Sequence, residues 1–169
     1  MDVRFEPVMW PDDAVAVVDF LVSSRWPFHG TPELTADDAA SVAVAGDDMA
    51  GFWVLSDGDR VGLVRLVDLD DVVDGSPRFD LRIADGRRGS GLGTRAVDWL
   101  TDHLFTTYPA LHRVEATTRG DNHAMQAVFD RCGYRLEGRF VEAWRNADGS
   151  YDDALSYAIL RREWAADQA

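Results

Sequence analysis

Arg88-Gly89-Ser90-Gly91-Leu92-Gly93-Thr94 is the stretch whose reading decides the fold. The run before it, Phe79-Asp80-Leu81-Arg82-Ile83-Ala84, alternates side-chain character as a strand does. The run after it, 94–105, carries apolar residues at helical spacing. A strand, a glycine-rich turn and a helix start together form a cradle for phosphate. Small residues let the backbone approach the anion, the first N–H groups of the helix point at it, and the helix dipole favours its charge. Two common phosphate motifs are excluded. The dinucleotide fingerprint would need glycine where Thr94 stands, and would open the chain rather than sit in its middle. The Walker loop needs a lysine, and this chain has none.

Working outward from the turn, the pattern alternates strands with helices. On the N-terminal side we expect a strand over 3–8, a helix over 11–22, an irregular aromatic stretch over 23–32 and a helix over 35–45. Thr35 and Asp38 stand in capping-box positions of that second helix. Strands over 52–55 and 60–67 flank Ser56-Asp57-Gly58-Asp59, a hairpin signal, and an acidic loop covers 68–77. On the C-terminal side come a strand over 112–118, a helix over 122–132 closed by Gly133, a strand over 134–143, a turn at 146–149 and a strand over 153–160. This order has too many adjacent strands for a doubly wound sheet and too many helices for a sandwich. It implies an α/β (α+β) fold: a mixed, mostly antiparallel central sheet of about seven strands flanked by helices.

The 169 residues suit a single domain spanning 1–169, and the 46% hydrophobic content suits a soluble globular chain with a proper core. The lone cysteine, Cys132, allows no internal disulfide and fits a reducing compartment. The N-terminal residues lack a signal pattern, and no run reaches the roughly 20 apolar residues of a membrane span. A cytoplasmic location is therefore expected. The net charge is −13, and all 17 basic residues are arginine. Such a chain repels nucleic acid and anionic membrane and attracts cations, an amine among them; ordinary solubility is the plainer account of the same charge. Without lysine, Schiff-base and lysine-nucleophile mechanisms are excluded.

Arg88-x-x-Gly91-x-Gly93 after a strand, then a helix, a strand, Asn122 opening another helix and Cys132-Gly133-Tyr134 closing it resemble the GNAT superfamily of N-acetyltransferases. The runs Val114-Glu115-Ala116-Thr117-Thr118-Arg119-Gly120-Asp121-Asn122 and Asp153-Ala154-Leu155-Ser156-Tyr157-Ala158-Ile159-Leu160-Arg161-Arg162-Glu163-Trp164 resemble its branch of ribosomal-protein N-terminal acetyltransferases. The likeness is strong over 50–164 and extends over 1–49 only in element order. It implies an acyl-CoA N-acyltransferase (GNAT) fold and acetyl-CoA as co-substrate, with no metal. The pyrophosphate would lie on Arg88, Gly89, Ser90, Gly91, Leu92, Gly93 and Thr94. The pantetheine would pair with Leu81, Arg82 and Ile83 where the sheet splays, and Asn122 would hydrogen-bond it. Asn122 is equally a helix N-cap. A homodimer is also implied.

The implied chemistry is direct attack of an amine on the thioester. It needs a base for the ammonium proton and donors for the developing oxyanion. Asp80 and Glu115 are the leading base candidates, with His29 and His112 as further relays. Alternation puts Asp80 and Arg82 on one face, so a structural pair between them is the competing account of Asp80. Relatives often carry a tyrosine acid where this chain has Phe129, which can pack on the cofactor but cannot donate. Tyr134, Cys132, Ser90 and water remain as acids, and none is assigned. That departure leaves a non-catalytic acyl-CoA-binding sensor as the alternative. Trp26, Phe28 and His29 form a candidate acceptor wall, or a plug for the core. Asp68, Asp70, Asp71 and Asp74 form a candidate cation attractor, or a solvated loop. Trp144 is a further wall. A protein N-terminus, a polyamine, an aminoglycoside and a small amine all remain open as acceptors.

Overall fold

The computed structural model describes residues 2–73 and 77–167. Its strands are β1 (Val3–Pro7), β2 (Ala50–Ser56), β3 (Asp59–Val67), β4 (Arg78–Ile83), β5 (Arg113–Arg119), β6 (Arg135–Arg145) and β7 (Tyr151–Leu160). Its helices are α1 (Ala14–Val22), α2 (Ala36–Ala40), α3 (Leu92–Thr107), α4 (His123–Arg131) and α5 (Arg161–Asp167). The seven strands form two sheets rather than one, ordered β1-β2-β3-β4 and β5-β7-β6, and every ladder is antiparallel. β4 and β5 touch, yet no ladder joins them. This matches the splay that the family resemblance implies beside residues 81–83.

The first sheet is covered on both faces. Phe52, Val54, Val64 and Leu66 pack toward α3, while Trp53 and Leu63 pack toward α1 and α2. Helix α3 buries Leu92, Ala96, Val97, Leu100 and Leu104 along one stripe. Each buried leucine there is worth about 1.5–3 kcal/mol in apolar burial. Gly62 faces Ile83 across the β3–β4 ladder, and a Cβ on it would stand 2.8 Å from the Arg82 carbonyl oxygen. That glycine lets β4 lie close and sets the height of the seam.

Element ends shift for local reasons. Helix α1 starts at Ala14 rather than at 11, and its N-cap Asp13 makes no side-chain cap because its carboxylate is already taken: it accepts from the Met9 amide at 2.9 Å, the Trp53 indole at 3.1 Å and Arg60 at 2.7 Å. The Thr35–Asp38 capping box is complete, but α2 ends at Ala40, where the Ser41 hydroxyl bonds back to the Asp37 carbonyl and Val44 turns into the core. Helix α3 begins at Leu92, two residues before the expected start, with Gly91 as a left-handed N-cap. The sequence reading missed α5, whose Trp164 ring lies 5.2 Å from Phe105 and whose Glu163 accepts from the Leu160 amide.

Candidate functional site

Two cavities meet at the seam. The larger, of about 440 Å³, is lined by β4, the turn after it, the start of α3 and one face of α4. The smaller, of about 280 Å³, lies between β4, β5 and Trp144 of β6. Phe28, His29, Leu81, Asn122 and Met125 line both. A molecule lying in the first cavity therefore has its inner end facing a molecule in the second.

The larger cavity suits an anion attached to an amide-bearing arm. Gly91 has φ +86° and open space where a Cβ would stand, so this glycine both permits the turn and clears the approach. Arg95 is the first residue of α3 whose amide returns to the turn, donating to the Gly91 carbonyl at 3.2 Å. Helix geometry leaves the amides of Leu92, Gly93 and Thr94 without an internal acceptor, and they point out of the helix start. One edge of β4 pairs with β3, and the other faces the seam as an unladdered strand edge. Arg131, absent from the sequence reading, adds a cation to the wall. It follows Ala124, Ala127 and Val128 at helical spacing, a signal that was readable once α4 was known to face the turn.

Most of the expected donor residues come together. Leu81, Arg82, Ile83, Arg88, Gly89, Gly91, Gly93, Thr94 and Asn122 all line the larger cavity. Three do not. The Ser90 hydroxyl bonds back to the Arg87 carbonyl at 2.6 Å, Leu92 is a core side chain, and Phe129 lines the smaller cavity, its ring tilted against Tyr134 and Tyr157. Arg88 clasps protein rather than standing free. It bonds the Ile83 carbonyl at 2.9 Å and the Arg25 carbonyl, and pairs with Asp85 at 2.5 Å. Asn122 does cap α4, accepting from the Met125 amide at 3.2 Å and donating to Thr118 at 3.1 Å.

Asp80 sits at the centre of a charged cluster. Its Oδ1 is 2.7 Å from His29 Nε2, and its Oδ2 is 3.1 Å from Arg82 Nε and 3.3 Å from Arg65 Nη1. Burial alone would raise this carboxyl. The hydrogen bond and charge of His29, with Arg82 and Arg65, outweigh burial and hold it well below the usual carboxylate range. A carboxylate so held is a weak proton acceptor. Because it only accepts hydrogen bonds, His29 Nε2 must carry a hydrogen. His29 Nδ1 and Arg82 Nη1 are buried with no protein partner among the described residues.

The other expected groups are dispersed. Glu115 lies outside both cavities, 2.8 Å from Arg113 on a half-exposed stretch of β5. Trp26 is core: 1% exposed, with its indole donating to the Leu21 carbonyl at 2.7 Å, it supports Arg82 and Arg88 at 5.3 and 5.5 Å from its ring and still forms part of the larger cavity's wall. Burial pushes the Cys132 thiol and the Tyr134 hydroxyl up, and neither lines a cavity. His112 lines neither. Asp68 pairs with Arg78 at 2.5 Å, away from both cavities, and Asp74 lies outside the described residues. Among the described residues no three His, Cys, Asp or Glu side chains converge as a metal site would require.

A family model described as an acetyltransferase (GNAT) domain matches residues 3–135. The chain belongs to this GNAT family. Spermidine N(1)-acetyltransferase of Escherichia coli (strain K12) is 27% identical to this GNAT chain over 116 residues, covering 69% of the chain and 61% of the relative. The match thus spans under two thirds of that relative's length. The ribosomal N-acetyltransferase candidate YdaF of Bacillus subtilis (strain 168) is 25% identical over 170 residues, covering 94% of this chain and 91% of the relative. Among solved structures, spermidine N-acetyltransferase from Vibrio cholerae in complex with CoA and spermine superposes with a TM-score of 0.77 at 20% identity, covering 96% of this chain and 98% of that one. The GNAT fold, seven strands in two sheets flanked by helices, is therefore shared.

Proposed function

We propose that this protein is an acetyl-CoA-dependent N-acetyltransferase acting on a primary amine of a small molecule or a protein N-terminus. One observation carries the reading: an unpaired strand edge leads into a glycine turn and a helix N-terminus within one cavity, and that cavity opens into a second beside His29. The first suits an extended amide-bearing arm ending in pyrophosphate, and the second suits an amine. Family membership supports the same donor. We take residues 1–169 as one domain, since both sheets contribute to the site.

The amine nitrogen attacks the thioester carbonyl carbon, the carbon–sulfur bond breaks, and coenzyme A leaves as a thiolate that takes a proton from water. The amine's own proton needs an acceptor. His29 fills this role in our reading: its Nε2–H is held by the Asp80 carboxylate, and in the neutral ring the buried Nδ1, which has no protein partner among the described residues, carries the lone pair. Asp80 then acts through His29, as a positioning residue. Glu115 stands outside the cavities, so the reading gives it no proton to move. The test is calorimetric titration with acetyl-CoA, followed by thiol release with a panel of amines. Binding and thiol release are expected. No binding at millimolar acetyl-CoA overturns the reading, and binding without turnover of any amine supports the sensor alternative.

Leu136, Phe140, Val141 and Tyr151 are exposed apolar side chains on β6 and β7, and they support a homodimer through these strands. Light scattering that returns the monomer mass at micromolar protein removes that part. Among the described residues no helix is long and apolar enough to cross a membrane, and the single half-buried cysteine supports a cytoplasmic location.

A further inference from the structure

The smaller cavity carries more information about the acceptor than its size. Four aromatic rings, Phe28, Phe79, Phe129 and Trp144, line it. Among the described residues Asp80 is its only carboxylate. That carboxylate is already committed to His29, Arg65 and Arg82, so two guanidinium charges face one anion and the local sum is positive even with His29 neutral. The outer face of Phe28 carries a third cation, with Arg119 at 4.9 Å from the ring centre. Arg119 in turn occupies the nearest acids, Asp121 at 2.6 Å and Asp152 at 3.5 Å.

A chain with two or three ammonium groups needs a carboxylate for each charge it brings out of water, and the described residues of this cavity offer none in reserve. A single ammonium is a different case. It loses its charge as it reacts, and until then the faces of the aromatic rings attract it. Rings also bury an apolar body well, and about 280 Å³ lies at the small end of ligand pockets.

From these residues we infer that the acceptor is a primary amine bearing one charge on an aromatic or similarly apolar body, and not a polyamine. This rests on the acetyltransferase reading above and narrows it. It departs from the substrate in the names of the spermidine acetyltransferase relatives, which share the family but stand at 27% identity or less.

The experiment compares 2-phenylethylamine with spermidine as acceptors under saturating acetyl-CoA, with thiol release as the readout. We expect kcat/KM for 2-phenylethylamine to exceed that for spermidine by at least about tenfold, ~1.4 kcal/mol. Any smaller ratio, or one favouring spermidine, overturns the inference. Trp144→Ala should lower kcat/KM for 2-phenylethylamine by about fivefold or more, as loss of a ring contact does. Thr117→Asp places an uncommitted carboxylate in the cavity at an exposed strand position, and should move the ratio toward spermidine by about tenfold. A ratio indifferent to Thr117→Asp also overturns the inference, whether or not Trp144→Ala folds. The two readings fail differently. Absence of acetyl-CoA binding, or of thiol release from every amine, removes the acetyltransferase and this inference with it; turnover that favours spermidine removes this inference alone.

Discussion

The two cavities that meet at the seam are built in opposite ways. The larger holds a strand edge, a glycine turn and the first amides of α3, walled by side chains from the loop over 26–29 and from α4. Its recognition depends on small residues and φ angles, which a local sequence motif specifies. The smaller is made of side chains brought from the loop over 23–35, from β4, from β5 and from β6. Its character depends on which charges are already paired, and pairing is a tertiary property. Seven of the twelve described residues that line the smaller cavity belong to it alone, so its character can change while the turn and the start of α3 stay as they are.

Gly91→Trp should break the comparison most severely. A tryptophan at φ +86° fills the open side of the cradle, and acetyl-CoA affinity should fall at least about a thousandfold, ~4 kcal/mol, by calorimetry. A melting curve close to the parent's shows that the fold survives. Unchanged affinity removes the phosphate from this turn. Next comes His29→Gln, at the wall common to both cavities. It should cost about a hundredfold in kcat/KM, within the range of general-base catalysis, with the acetyl-CoA Kd held within about threefold. An equal loss in both numbers would mean that His29 only shapes the donor cavity.

Asp80→Asn has a smaller effect and a pH signature. The folded carboxyl is held low, so its stabilising interactions are present above the unfolded value of about 3.9 and are lost as pH falls through the folded one. The variant should lose about 2 kcal/mol of stability between pH 5 and 8, where hydrogen bonds to a charged group are broken, and the gap to the parent should narrow as pH drops below about 4. Chemical denaturation at pH 7 and pH 3.5 reads this directly. A gap that widens in acid contradicts the cluster. Glu115→Gln is the smallest change, expected to alter kcat/KM by less than about twofold, as surface pairs do. A tenfold loss would return Glu115 to the chemistry.

Legibility in the sequence followed the same division. Glycines 89, 91 and 93, the apolar stripe of α3, the Thr35–Asp38 box and the Asp57-Gly58 turn act over a few residues, so composition and spacing reveal them. Helix α5 was missed because its seven residues carry no strong period; Trp164 is held by Phe105 from a distant helix. Asp80 read as a plausible base because alternation places it beside Arg82, but nothing local shows that His29 and Arg65 reach the same carboxylate. Phe129 read as a cofactor contact; its packing against Phe79, Tyr134 and Tyr157, which places it in the wall of the smaller cavity, depends on residues distant in the chain.

The chain's sequence alone determined the order of strands and helices and the glycine turn between β4 and α3, because hydrophobic period, caps and glycines are short-range constraints; the GNAT architecture followed from the resemblance those motifs carry. Only the tertiary structure decided that the strands divide into two sheets, that Gly62 lets β4 lie close at the seam, and that Asp80, the sole carboxylate of the smaller cavity among the described residues, is already paired with two arginines and a histidine. Those facts depend on residues far apart in the chain meeting at a few ångströms, where desolvation and Coulomb attraction set what each group can still do.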